Sequence, residues 1–150
     1  MNIFVLDKSP LKSAQYACDK HVVKMILESA QLLCSVQPEG TAPYKRTHFN
    51  HPCTKWVRES VRNYEWLLLH AYALCEEYTH RYGKIHKSEA VIEWCDENRP
   101  ELPDVDRTPF VQAMPEEYKN ENTIEAYRAY YRGDKRKFAK WKDGKVPLWF

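Results

Sequence analysis

Apolar residues recur at intervals of three and four along much of the chain, and that rhythm predicts helices. Residues 3–6, Ile-Phe-Val-Leu, precede it as a short strand or a packed N-terminal arm. Ser9-Pro10 then opens a helix, because a serine hydroxyl caps free amides and the fixed φ of proline suits a first turn. The periodicity runs to about Val36 and admits a break near Cys18-Asp19, where Asp19 can cap a second helix. Pro38, Gly40 and Pro43 end it in a loop.

Residues 51–82 contain no glycine or proline after Pro52 and read as one long central helix, with Gly83 as its natural C-cap. A shorter helix is expected over residues 88–96 with Ser88 as cap. Pro100, Pro103, Pro109 and Pro115 make residues 99–115 an extended loop wrapping the body. Asn122 and Glu125 form a capping pattern for a helix that reaches about Arg132 and stops at Gly133, and a basic, aromatic tail closes the chain. The pattern predicts an all-α fold, a compact irregular bundle of three to five helices forming a single domain over residues 1–150.

One stretch raises a chemical question. In residues 18–28, CDKHVVKMILE, helical geometry puts His21, Lys24 and Glu28 on one face, continued by Gln31. Val22, Val23, Ile26, Leu27, Ala30, Leu33 and Cys34 form the other, apolar face. Periodicity alone allows two readings. Lys24 and Glu28 are an i,i+4 pair on a solvated face, with His21 an ordinary surface residue; or the three are kept in register for chemistry.

Composition narrows the class. With 150 residues, 43% hydrophobic and 29% charged, the chain has enough apolar material for a real core. No apolar run approaches the length of a membrane span, and the first residues lack the basic and long apolar segments of a secretory signal. A cytoplasmic monomer with no membrane association is expected. The five cysteines, Cys18, Cys34, Cys53, Cys75 and Cys95, are odd in number and sit mostly where helix stripes want a small apolar residue, so reduced core thiols are expected.

Net charge is a modest +2, but basic and aromatic residues cluster over residues 44–62 and 127–145. Lysine and arginine suit phosphate while tyrosine and tryptophan suit stacking, a combination fitted to nucleic acid. Solvated basic faces with aromatics turned inward give the same composition. Lys24, Arg46, His51, Lys55, Arg58, Tyr127, Tyr130, Tyr131, Lys135, Arg136 and Lys137 are the candidate DNA contacts. Glycine-rich phosphate loops and the G-x-S-x-G elbow are absent. His48, His51 and Cys53 lie close together, but no fourth ligand stands at a recognisable spacing, so no metal and no cofactor are expected.

The order of several motifs resembles the pyrimidine-dimer DNA glycosylases, the small phage-type endonuclease V family. A D-x-H-x6-E pattern is present as Asp19, His21 and Glu28; a histidine, His51, opens the central helix, whose end carries Glu77 and Arg81 before Tyr82-Gly83. Near the C terminus, Tyr127, Tyr130 and Tyr131 precede Gly133 and Lys135, similar to the family's Y-x-x-Y-Y run. The resemblance covers about two-thirds of the chain. It implies an all-α protein that binds damaged or modified duplex DNA, flips a base out of the stack, and attacks the sugar C1′ with its N-terminal amine. Under it Met1 or Asn2 supplies the nucleophile, Glu28 assists the glycosylase and abasic-site lyase steps, and His21 lines the site. A carboxylate can stabilise a cationic sugar or imine and carry protons, and an uncharged amine is a competent nucleophile.

Two positions depart from the family pattern. Residue 2 is Asn2, before which methionine removal is inefficient, so the free amine belongs to Met1 if it is retained. Leu27 stands where an arginine usually precedes the glutamate. These departures keep open an enzyme acting on modified bases of a phage genome with the same scaffold. A non-catalytic nucleic-acid-binding helical module is the third reading.

Overall fold

The computed structural model describes residues 1–150, and it is all-helical. Six α-helices follow in order: α1 Pro10–Tyr16, α2 Asp19–Ser35, α3 Pro52–Glu59, α4 Val61–Tyr82, α5 Glu89–Glu97 and α6 Thr123–Arg132, with a single 3₁₀ turn at Glu116–Tyr118. The helix α4 is central, packing against α1, α2, α3 and α5. Residues 3–6 form no strand; they are a buried arm threaded into the core, where Val5 and Leu6 are almost wholly inaccessible.

The count exceeds the expected three to five because the break allowed near Cys18 is present and the helix expected over residues 51–82 is divided as well. At the first break, Ala17 is extended, and α2 starts at Asp19 with Cys18, not Asp19, in the capping position. The orphaned carbonyls at the end of α1 are taken by Arg81 of α4, which donates to Gln15 O at 3.1 Å and Ala17 O at 2.8 Å. The same guanidinium pairs with Asp19 at 3.1 Å and Glu77 at 3.0 Å.

The second break corrects the expected single helix over residues 51–82. Ser60 is extended (φ −156°, ψ 143°), and its hydroxyl caps α4 by accepting from Arg62 N at 3.0 Å. Asn63 donates to Trp56 O at 2.6 Å, and Val61 N donates to Pro103 O at 2.9 Å. The proline-rich strap of residues 99–115 therefore serves the interruption it lies against. Apolar periodicity passes through such a break unchanged, because the two helices bury adjoining stripes.

The ends of α4 and α6 need glycine for different reasons. Gly83 takes the left-handed conformation (φ 67°) that closes α4. At Gly133 a Cβ would collide with the outer end of the Tyr118 ring, so a side chain there would force that ring to move. All five cysteines are buried and unbonded.

The helix α2 does not divide its faces as periodicity suggests. Val23 and Leu27 are 38% and 40% exposed, while His21 and Glu28 are only 4% and 8% exposed. The N-terminal arm and the C-terminal region cover the polar stripe, and Val23 and Leu27 are left on the rim. Lys24, with its side chain 63% exposed, is the solvated member of the trio.

Candidate active site

The N-terminal arm is anchored by Asn2, one of its few polar side chains. The Asn2 Oδ1 accepts from Ile3 N at 2.8 Å, Phe4 N at 3.2 Å and Tyr127 Oη at 3.0 Å, while Nδ2 donates to Ala113 O at 2.7 Å. This turn bends the chain enough to hold Phe4 at φ 58°, a conformation that an aromatic residue adopts only where its surroundings impose it. Phe4 then stacks on His21 with ring centroids 4.1 Å apart.

The result is that the start of the chain lies against Glu28. The Met1 α-amine is 3.6 Å from Glu28 Oε1, and Asn2 N donates to that same oxygen at 3.0 Å. The other carboxylate oxygen faces Lys24 Nζ at 3.8 Å. The Met1 side chain is packed away, 3% exposed, so the amine has little freedom to wander.

These groups border a cavity of about 520 Å³. Its walls bring together Met1, Asn2, Phe4, His21, Lys24, Glu28, His51, Tyr130 and Lys135, with Gln112, Ala113, Met114 and Lys119 supplied by the strap beyond. Glu28 is the only acid in the lining; Lys24, Lys119, Lys135 and the terminal amine are cations. A cavity with this balance attracts an anion while leaving one carboxylate beside one amine. A second cavity of about 540 Å³, lined by Lys8, Arg107, Glu121 and the start of α6, lies away from the terminal amine and Glu28.

The two histidines differ in setting. Burial, and then Lys135, Lys24 and Lys20, push His21 down to about 3, so the ring is neutral at ordinary pH. Its Nδ1 lies 2.7 Å from the Tyr131 hydroxyl. His51 caps α3, with Nδ1 accepting from Cys53 N at 3.0 Å, and it too is held below the usual histidine range, by burial and then by the N-terminal amine and His48. His48 and Cys53 do not join it as ligands, and no group of three or more His, Cys, Asp or Glu side chains comes together anywhere.

The aromatic and basic candidates separate. Tyr127 and Tyr131 are fully buried, which corrects the expectation that they stack on DNA. Their hydroxyls hold Asn2 and His21 instead. Of the three tyrosines only Tyr130 reaches the cavity, with Lys135 Nζ 4.7 Å above its ring. Arg46 and Arg58 both stack on Phe49, at 4.3 and 3.9 Å, and both donate to loop carbonyls. Arg136 lies over Phe150 at 4.4 Å and donates to its carbonyl, tying down the C terminus. Lys55 and Lys137 are exposed.

Sequence reasoning missed Phe4, Lys119 and residues 112–114. Nothing local marks them: an aromatic in an apolar arm and a short piece of proline-rich loop gain their role only from tertiary placement.

A family model described as pyrimidine dimer DNA glycosylase matches residues 1–90. The chain belongs to the pyrimidine dimer DNA glycosylase family. A DNA glycosylase function, with DNA as substrate, comes with that membership. Within the family match lie Met1, Asn2, His21, Glu28 and His51, whereas the Tyr130 and Lys135 wall is built by residues beyond it. No curated protein and no solved structure matches the chain. No helix is long and apolar enough to cross a membrane.

Proposed function

We propose that this member of the pyrimidine dimer DNA glycosylase family breaks the glycosyl bond of a damaged pyrimidine in duplex DNA and then cleaves the abasic site through an imine on its N-terminal amine. The observation that carries the reading is the α-amine of Met1 set 3.6 Å from the buried Glu28 carboxylate inside a cation-lined cavity. Glu28 takes a proton from the amine, which attacks C1′; the same carboxylate then faces the cationic imine and moves the proton needed for strand cleavage. Glycosyl-bond cleavage in a stacked duplex requires extrusion of the nucleotide, and the cavity between the arm and Tyr130 is the place for it. Lys24, Lys119 and Lys135 meet the flanking phosphates.

Loss of Met1 would leave Asn2 as the terminal amine, already 3.0 Å from Glu28 Oε1, so the same carboxylate serves either terminus. Borohydride trapping tests the reading on duplexes that carry one abasic site or one cis-syn thymine dimer, with the N terminus established by intact mass. An adduct mapped to the first residue is expected. Folded, DNA-bound protein that forms no adduct on either duplex overturns it.

A further inference from the structure

His21 sits at the centre of the cavity wall, yet the steps above give it no task. Its ring is fixed on three sides. Phe4 covers one face at 4.1 Å, Phe138 packs edge-on at 5.6 Å, and Nδ1 meets the Tyr131 hydroxyl at 2.7 Å. The remaining atom, Nε2, has no hydrogen-bond partner in the protein and is not sealed from the cavity, although the residue as a whole is 96% buried by its 4% exposure.

The hydrogen bonds around Tyr131 allow two placements of the ring proton, and acceptor strength favours one. A tyrosine hydroxyl has one proton to give and two lone pairs. At Tyr131 it accepts from Cys18 N at 3.2 Å, and its proton can go to His21 Nδ1 at 2.7 Å or to Cys18 Sγ at 3.6 Å. A ring nitrogen is a far better acceptor than a thiol sulfur, so the placement with the hydroxyl proton on the Nδ1 side is the one the proposal takes and the tautomer measurement below tests. Nδ1 is then the acceptor, and a neutral ring carries its own hydrogen on Nε2, directed into the cavity.

We propose that His21 is a neutral hydrogen-bond donor to the leaving group, its Nε2–H meeting the C2 carbonyl oxygen of the pyrimidine as the base departs; this rests on the glycosylase reading above. As the amine nitrogen bonds to C1′, the C1′–N1 electron pair passes to the base, where the charge spreads over N1, C2 and O2. The donor meets that charge from a ring already held in place by Phe4, Phe138 and Tyr131, so it needs no reorganisation. The amine's proton goes to Glu28, His21 keeps its own, and the base takes a proton from water once the C1′–N1 bond is broken, a dimer's base remaining joined to its neighbour through the cyclobutane ring. An imidazolium is disfavoured first by burial of the ring and then by Lys135, Lys24 and Lys20, with Tyr131 and Cys18 behind it and no carboxylate paired with it. A donor fixed in the neutral state stays available across the pH range in which the amine and Glu28 exchange protons.

Two measurements test this. Long-range ¹H–¹⁵N correlation of the histidine rings in the intact protein is expected to show His21 with hydrogen on Nε2 alone from about pH 5 to 8. Hydrogen on Nδ1, or an imidazolium in that range, overturns the proposal without touching the reading of the site. The second compares His21→Leu and His21→Gln on two duplexes. Cleavage of the glycosyl bond at a thymine dimer, where the freed thymine stays joined to its neighbour through the cyclobutane ring, is expected to fall about 100-fold in His21→Leu. Cleavage of a preformed abasic site, which has no base to expel, should fall far less, and the His21→Gln carboxamide should restore part of the glycosyl-bond cleavage. Equal losses on both duplexes overturn the donor role alone. Wild-type protein inert on both overturns the glycosylase reading and the donor role with it, whatever the ring's tautomer.

Discussion

At the scale of single residues, Glu28 is the group on which chemistry and structure meet. Its Oε1 receives the backbone N–H of Asn2 and faces the terminal amine. Glu28→Gln keeps the shape and can still accept from Asn2 N, but it cannot take a proton. Turnover is expected to fall by about 10²- to 10⁴-fold with DNA affinity nearly unchanged, read by single-turnover assay and by binding isotherm. Wild-type turnover in Glu28→Gln would remove the carboxylate from the reaction. This pair of residues was legible in the sequence, since seven residues of helix superpose His21 and Glu28 on one face. Their burial was not, because the cover comes from residues distant along the chain. Tyr127 and Tyr131 show the opposite failure: a tyrosine run beside lysines reads as a stacking surface, and only tertiary packing reveals hydroxyls turned inward to Asn2 and His21. Burial of histidine has a thermodynamic sign as well. His21 is pushed down to about 3 and His70, within the core, to about 4. The unfolded chain therefore binds these protons first, and stability is lost as pH falls below about 6.5, by up to about 1.4 kcal/mol per pH unit for each ring. Urea unfolding at a series of pH values is expected to show that slope, and His70→Asn to reduce it.

At the scale of elements, the interruptions matter more than the helices. Periodicity located α5, α6 and the end of α4 to within a residue or two and placed the caps at Asn122 and Gly83 correctly. It joined α3 to α4, because Ser60 is a small residue that a helix tolerates, and the bonds that break the helix come from Pro103 and Val105 far along the chain. Arg81 shows what such junctions depend on. Its side chain is wholly buried and fastens the end of α1 and the start of α2 to α4 through two carbonyls and two carboxylates. Arg81→Met would strand Asp19 and Glu77 beside one another and free both carbonyls. A loss of about 3–5 kcal/mol is expected from the denaturation midpoint. Arg81→Lys should recover only part, since an ammonium cannot reach four acceptors with a planar fork. A variant as stable as wild type would show that the junction is held by apolar packing alone.

At the scale of the whole molecule, an overall charge of +2 conceals an uneven field. Between Gly40 and Arg58 the chain contains no aspartate or glutamate, and this stretch meets the cavity at His51. Basic residues there and near the C terminus are not equivalent, although composition ranks them alike. Lys55 is exposed and Lys24, though it faces Glu28 at 3.8 Å, keeps a largely exposed side chain that can meet phosphate, whereas Arg136 is occupied by Arg132 O, Phe150 O and the Phe150 ring. Phosphate contacts release counterions, so each one adds about 0.9 to the slope of log affinity against log salt. The double variant Lys24→Ala/Lys55→Ala is expected to lower that slope by nearly 2 and to weaken binding to damaged and undamaged duplexes by the same factor. Arg136→Ala should change the slope less and instead loosen the C-terminal tail, detected as faster proteolysis or amide exchange around Trp149. A salt slope untouched in the double variant would place the DNA backbone on another face of the protein. Selective loss on damaged DNA alone would mean that Lys24 acts within the cavity on the extruded nucleotide.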